Sequence, residues 1–288
     1  MMHQPNRDLF KQSIQSNKDW REIFANPSDI KIDTFETGKL TFSNKFMINL
    51  FHQNAQNIKE EELTVPVYCH LIQHKVYGDY LVDTGLDRSF QSDIYGNIQG
   101  KRREILWPLK SYQNEGQDIA TQLSLRKITL KGVFLSHLHI DHVAGIQNLS
   151  KDLPIIIGKD EPYHNSGKRF FQDHFKGINT IYEINFTSIK EKKPLGPSVD
   201  IFGDGSFWAI STPGHTKGHI SYLINSKEKI TLLTGDACDL ELGFKKCIGP
   251  GLGSFNIDLA QKSLEQLISF INLYPQIKVV FGHAKTVH

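Results

Sequence analysis

The chain has 288 residues, of which 39% are hydrophobic and 22% charged, and its 33 Lys and Arg against 31 Asp and Glu leave a formal charge of only +2. A chain of this length and composition can bury a sizeable core, which excludes disorder throughout. The even charge balance argues against a general nucleic-acid or membrane-surface binder. Three cysteines, Cys69, Cys238 and Cys247, without a CxxC pair suggest neither a disulfide framework nor a zinc ribbon. The opening MMHQPNRDLFKQSIQS lacks the apolar core of a signal peptide, and no apolar run is long enough to span a bilayer. A cytoplasmic protein with no nucleic-acid or membrane partner is therefore expected.

Residues 7–24 place apolar groups near helical spacing and predict a helix that packs on the body or on a partner, so the segment could support a homodimer. Residues 64–83 read as a hairpin of two strand-like runs ending in Asp83-Thr84-Gly85. Residues 86–113 read as a polar loop or partly helical insertion, and Gln117 to Leu125 as a helix. GVFLS (132–136) is a short buried strand, followed at once by HLHIDH and then a helix-like AGIQNL. PIIIG (154–158) is another strand, with a helix able to begin near Asp160. FWAIST (207–212), HISYLIN (219–225), KITLLTG (229–235) and KVVFG (278–282) are further strands, and residues 257–273 form the clearest amphipathic helix. Strands and helices alternate, which favours an α/β sandwich of sheets flanked by helices. We expect one domain over 1–288 with a helical extension at about 1–30.

The chemistry concentrates at strand ends. His137, His139, Asp141 and His142 follow an apolar strand directly, where the chain must turn and can point several imidazoles and a carboxylate into one space. Thirteen histidines make some clustering expected, but three His and one Asp in this arrangement point to metal binding. Neutral imidazole and carboxylate suit zinc and other first-row divalent ions. One turn cannot close two metal sites, and the later strand ends supply the missing groups: His215 in TPGHTKGH, Asp236 in TLLTGDA and His283 in VVFGHA, each just after a glycine.

With these residues in place, the chain resembles the metallo-β-lactamase superfamily over about residues 64–284. HLHIDH matches the family's HxHxDH, and His215, Asp236 and His283 match its later ligand motifs in order. The resemblance implies an αββα sandwich, a first metal held by His137, His139 and His215, a second held by Asp141, His142 and His283, and Asp236 bridging the two. Within the superfamily, DIFGDGSFWAISTPGHTKGHISYLI (200–224) and the approach to HLHIDH look like N-acyl-homoserine lactonases. An Asp at 236 is unlike the true β-lactamases, His139 separates the chain from diiron flavoproteins, and the five residues after His283 leave no room for the helical substrate domain of glyoxalase II.

The implied activity is opening of a lactone ester, such as an N-acyl homoserine lactone, by a hydroxide shared between two divalent ions. The resemblance makes Asp141, which could pass a proton to the leaving alkoxide, and Asp236 the catalytic carboxylates. The cofactors expected are two Zn2+, with Fe, Mn or Co able to fill the same ligands, and the partner is a small ester or lactone. The alternatives are a thioesterase or phosphodiesterase on the same metal pair, or a non-catalytic metal-binding protein. One departure stands out: lactonases of the best-studied type carry a Tyr three residues after the bridging Asp, and this chain has Asp239. Tyr222 lies in a strand pattern and reads as core rather than a substitute. Asp83 reads equally as a turn cap or as a group orienting a metal ligand, and His219 as a packed or ligand-orienting histidine. Cys238 reads as a small buried residue, while His70, His74, His164 and His174 lack a ligand-like context. GDG at 203–205 is a turn, and KRR at 101–103 a solvated loop.

Overall fold

The computed structural model describes residues 5–11, 17–96, 98, 103, 110–161 and 172–283. Two sheets make up its centre. The larger contains β1 (Asn6–Leu9), β2 (Ile30–Ser43), β3 (Glu62–His74), β4 (Gly78–Val82), β5 (Lys110–Tyr112), β6 (Leu130–Phe134), β7 (Ile155–Gly158) and β8 (Thr180–Ile184), in the order β1-β8-β7-β6-β4-β3-β2-β5. The smaller contains β9 (Ser198–Asp200), β10 (Phe207–Ser211), β11 (Ile220–Asn225), β12 (Ile230–Leu233) and β13 (Lys278–Val280), in the order β13-β12-β11-β10-β9.

Residue alternation along these strands decides how the sheets stack. In β10, Phe207 and Ala209 face the larger sheet, where they pack with Phe134, Val82 and Ile156. Trp208 and Ile210 point the other way, against Leu267 and Phe270 of the long helix. In the larger sheet, Leu71, Leu81 and Val133 meet Ile119 and Leu123 of a helix on its outer face. The helices are α1 (Trp20–Phe24), α2 (Ile119–Leu125), α3 (Ile140–Val143), α4 (Glu241–Lys246) and α5 (Ile257–Leu273). The result is helix, sheet, sheet, helix: the αββα sandwich expected from the sequence.

The long amphipathic helix falls where its pattern placed it, with Asn256 accepting from the Leu259 N–H as its N-cap. The hairpin over 64–83 is β3 paired antiparallel to β4. The continuous N-terminal helix over 7–24 is not found. Asn6–Leu9 is a strand pairing parallel with β8, tied by an Arg7–Glu183 ion pair, and among the described residues of this segment the helix is Trp20–Phe24. Asp19 accepts from Glu22 N while Glu22 accepts from Asp19 N, a reciprocal cap that marks a helix start at Trp20. The segment thus closes an edge of the chain's own sheet. The helix expected near Asp160 would run into residues 162–171, outside the described residues, as is His164. In the 86–113 segment, Arg88–Gln91 is a single 3-10 turn, Lys110–Tyr112 pairs with β2, and Arg103 pairs with Asp93.

Candidate metal centre

The C-terminal ends of β4, β6, β10, β12 and β13 open onto one edge of the sandwich, and the loops leaving them carry every residue singled out for metal binding. Hydrogen bonds hold these loops together: Asp83 N donates to Phe134 O, Ile220 N to Ser136 O, and Thr234 N to Val280 O. The HLHIDH turn leaves β6, so His137 points inward while α3 begins at Ile140 and buries Asp141 and His142. Apart from the half-buried His139, all the candidate ligands are buried.

Side-chain atoms able to bind a metal converge in two sets. His137, His139, His215 and Asp236 each place a donor atom within 4.8 Å of the others, and so do Asp141, His142 and His283. His139 Nδ1 lies 3.0 Å from His137 Nε2 and 2.9 Å from His215 Nε2. Asp236 faces both sets: its Oδ2 is 3.5 Å from His137 Nε2 and 3.2 Å from His215 Nε2, while its Oδ1 is 3.3 Å from His142 Nε2 and 3.6 Å from His283 Nε2. Asp141 Oδ2 is 3.3 Å from His283 Nε2 and 3.5 Å from His142 Nε2.

The outer ring nitrogens show which way the imidazole lone pairs point. His142 Nδ1 donates to Asp83 Oδ2 at 2.8 Å, and His283 Nδ1 to the Pro66 carbonyl at 3.0 Å. Ser136 Oγ donates to Asp83 Oδ2 and so can accept from His137 Nδ1 at 3.0 Å. In a neutral ring the other nitrogen is then an acceptor. Three Nε2 lone pairs therefore face carboxylate oxygens or another imidazole. Acceptor against acceptor is repulsive unless a proton or a cation stands between them, and the buried His142 Nε2 and Asp236 Oδ1 have no hydrogen-bond partner. The donor set fits divalent ions that prefer nitrogen and carboxylate ligands.

Electrostatics draw positive charge, whether a proton or a cation, into the same space. Burial alone would raise Asp141 and Asp236, but the facing histidines, His142 foremost, hold both carboxyls below their ordinary range. Burial opposes protonation of His142, and the carboxylates of Asp236, Asp141 and Asp83 outweigh it and raise this imidazole. Asp239 goes the other way: burial and the neighbouring Asp236 push it well above the usual carboxylate range.

Asp83 both shapes the turn and holds the outer nitrogen of a candidate ligand, His142. It sits in the left-handed region at φ 60°, sparsely populated for a residue with a Cβ, and accepts from Ser136 N at 2.7 Å as well as from Ser136 Oγ and His142. His219 is also no ligand. Its Nε2 accepts from the Asp236 N–H at 3.0 Å and its Nδ1 donates to Thr212 Oγ1, so it fixes the Asp236 backbone; burial pulls it down to about 3. Tyr222 is core, its hydroxyl donating to Leu135 O at 2.9 Å, and Cys238 packs against Leu264 and Phe281. His70 pairs with Thr34, and His74 with Asp204.

The sequence reading missed Glu161. This buried carboxylate accepts from Leu138 N at 3.1 Å, between His137 and His139, and from Gly218 N at 2.9 Å and Thr216 Oγ1 beside His215. It clamps the two turns of one ligand set together. Burial pushes it up to about 7 against the pull of its three donors. The clamp needs close backbones: a Cβ on Gly158 would lie 1.9 Å from Gly218 O. A short GxxE after a buried strand was the available signal.

Known proteins share this arrangement of elements. The N-acyl homoserine lactonase AttM of Agrobacterium fabrum is 26% identical over 261 residues, covering 89% of this chain and 94% of that protein. The N-acyl homoserine lactonase of Bacillus cereus is 27% identical over 224 residues, covering 77% and 82%. The crystal structure of a quorum-quenching N-acyl homoserine lactone hydrolase superposes with a TM-score of 0.66 at 22% identity, covering 89% of this chain and 93% of that one. AidC, described as a dizinc quorum-quenching lactonase, superposes at 0.58 with 16% identity, covering 89% and 88%. The sequence profile of the metallo-beta-lactamase superfamily matches residues 64–238, more than half the chain, and with these ligand-bearing loops in place the chain belongs to that superfamily.

Proposed function

We propose that the protein is a dinuclear metal-dependent hydrolase that opens the ester bond of a lactone, with N-acyl homoserine lactones as the first substrates to test and quorum quenching as the consequence. The observation that carries this is Asp236, whose two oxygens face two separate groups of imidazoles. A carboxylate so placed is suited to bridge two cations and fix their separation. We assign His137, His139 and His215 to one ion and Asp141, His142 and His283 to the other, with Zn2+ as the resident metal because histidine and carboxylate donors suit it. The donors come from loops of both sheets, which supports a single domain. We place its action in the cytoplasm.

Two such ions, when bound, supply a water of lowered pKa and polarise the ester carbonyl. The chain's own contribution is orientation and charge. Asp83 and Pro66 O hold the outer nitrogens of His142 and His283, so both rings present Nε2 inward. His219 and Glu161 hold the backbones of the Asp236, His137–His139 and His215 turns. Asp141, whose Oδ2 faces His142 and His283, is the group we assign to carry a proton to the leaving alkoxide. The lactone assignment is supported by the N-acyl homoserine lactonases that align with most of the chain. A panel of short- and long-chain homoserine lactones, a β-lactam, a thioester and a phosphodiester tests it with zinc-loaded protein. Lactone opening should be fastest. Cleavage of the thioester or phosphodiester without lactone opening would reassign the substrate, and no turnover of any substrate would leave a metal-binding protein.

A further inference from the structure

We propose that Asp239 is a direct metal ligand, adding a third carboxylate to the centre on the side formed by Asp141, His142 and His283. The inference deepens the two-metal reading and rests on it. Asp239 lies three residues beyond Asp236, where the chain departs from the Tyr of the lactonases it resembles. The backbone directs it elsewhere. Asp239 O accepts from His283 N at 2.9 Å and Cys238 O accepts from Gly282 N at 3.1 Å, which laces the loop after β12 to the loop after β13. This places Asp239 beside His283. One of its carboxylate oxygens lies within 4.8 Å of donor atoms of both Asp236 and His283. Only 2% of the residue is exposed, and its Oδ1 is buried with no hydrogen-bond partner.

A buried carboxyl takes up a proton, is paired with a base, is held by several donors, or is coordinated to a cation. Asp236 and Asp141 repel the charged form of Asp239, Asp236 also lies within hydrogen-bonding reach of it, and the imidazoles nearby are His142 and His283. His142 already faces Asp83, Asp141 and Asp236. A divalent ion at the Asp141–His142–His283 set compensates Asp239 and Asp236 together. Two such ions bring four positive charges, and a third carboxylate brings the buried centre closer to neutrality than Asp141 and Asp236 alone.

The test is competition for Zn2+ between a chelating dye and the wild type, Asp239→Asn and Asp239→Ser, with visible spectra of the same proteins loaded with Co2+. Loss of a ligand should weaken one of the two ions by at least about tenfold, leave the other within about twofold, and change the intensity of the cobalt bands. Two ions held as tightly as in wild type, with an unchanged cobalt spectrum, would overturn the role of Asp239 alone. A wild type that binds no Zn2+ would overturn it together with the two-metal reading. Should the variants fail to fold, a crystal structure of the zinc-loaded wild type decides: an Asp239 oxygen about 2.0–2.2 Å from an ion supports the inference, and one well outside that distance overturns it.

Discussion

Replacing Glu161 by Gln probes how the fold holds the metal ligands without touching one. Glu161 Oε2 accepts from Leu138 N, while Oε1 accepts from Gly218 N and Thr216 Oγ1. An amide can keep its oxygen toward Gly218 and Thr216, but its NH2 then faces the Leu138 N–H, donor against donor. One buried N–H loses its partner, a cost of about 1–3 kcal/mol. Because Leu138 lies between His137 and His139, the His137–His139–His215 ion should be weakened by about 10-fold or more, with the other ion little changed. The substitution also removes a titration. Burial raises the Glu161 carboxyl from its ordinary 4.5 to about 7. The folded state therefore binds this proton more tightly than the unfolded one, so the stability it contributes is fully present below about pH 4.5 and is lost as pH rises through about 7. The loss is about 3 kcal/mol at about 1.4 kcal/mol per pH unit. Urea denaturation of wild type and Glu161→Gln at pH 5, 6, 7 and 8 reads both effects, because titrations elsewhere cancel in the difference. The wild type should lose stability relative to the variant across this range. A stability difference constant from pH 5 to 8, with unchanged affinity for both ions, would refute the clamp.

Three other substitutions separate the roles. Asp236→Asn should lose most activity and weaken at least one ion, since a carboxylate facing both ligand sets would no longer neutralise charge between them; near-normal turnover with two ions retained, by elemental analysis, would show that it is not the bridge. Asp83→Asn should lower affinity for the His142-side ion by about 10–100-fold in a chelator titration, because the amide cannot accept from all three of its present donors; unchanged affinity would make Asp83 a turn residue only. Tyr222→Phe should cost about 1–3 kcal/mol in thermal or urea unfolding by leaving Leu135 O without its hydroxyl donor, with activity close to wild type; a large fall in kcat with stability retained would return Tyr222 to the reacting site.

The parts of the centre that the sequence displays are those tied to a strand end. His137 to His142, His215, Asp236 and His283 each follow an apolar run and a turn residue, so local pattern and chemistry coincide. The strands that escaped reading lack that coincidence. β2 runs for 14 residues, but a register shift between Glu36 and Gly38 breaks its alternation, and Gly38 at φ 149° adopts a backbone that disfavours other residues. β1 is four exposed residues whose strand character comes only from β8, which lies far along the chain. Glu161 and Asp239 were obscure for the same reason. Their surroundings are assembled by contacts distant in sequence: Glu161 with Leu138 and Gly218, Asp239 with His283. Asp83 was ambiguous because a turn cap and a histidine-orienting carboxylate have the same local sequence, and only the distance to His142 separates them.

A pair of metal ions straddling Asp236 would be seen by anomalous diffraction from crystals of zinc-loaded protein. Two anomalous peaks about 3.5–4 Å apart are expected, one among His137, His139 and His215 and the other among Asp141, His142 and His283, with an Asp236 oxygen on each. A single peak, or two peaks with Asp236 bound to neither, would contradict this arrangement.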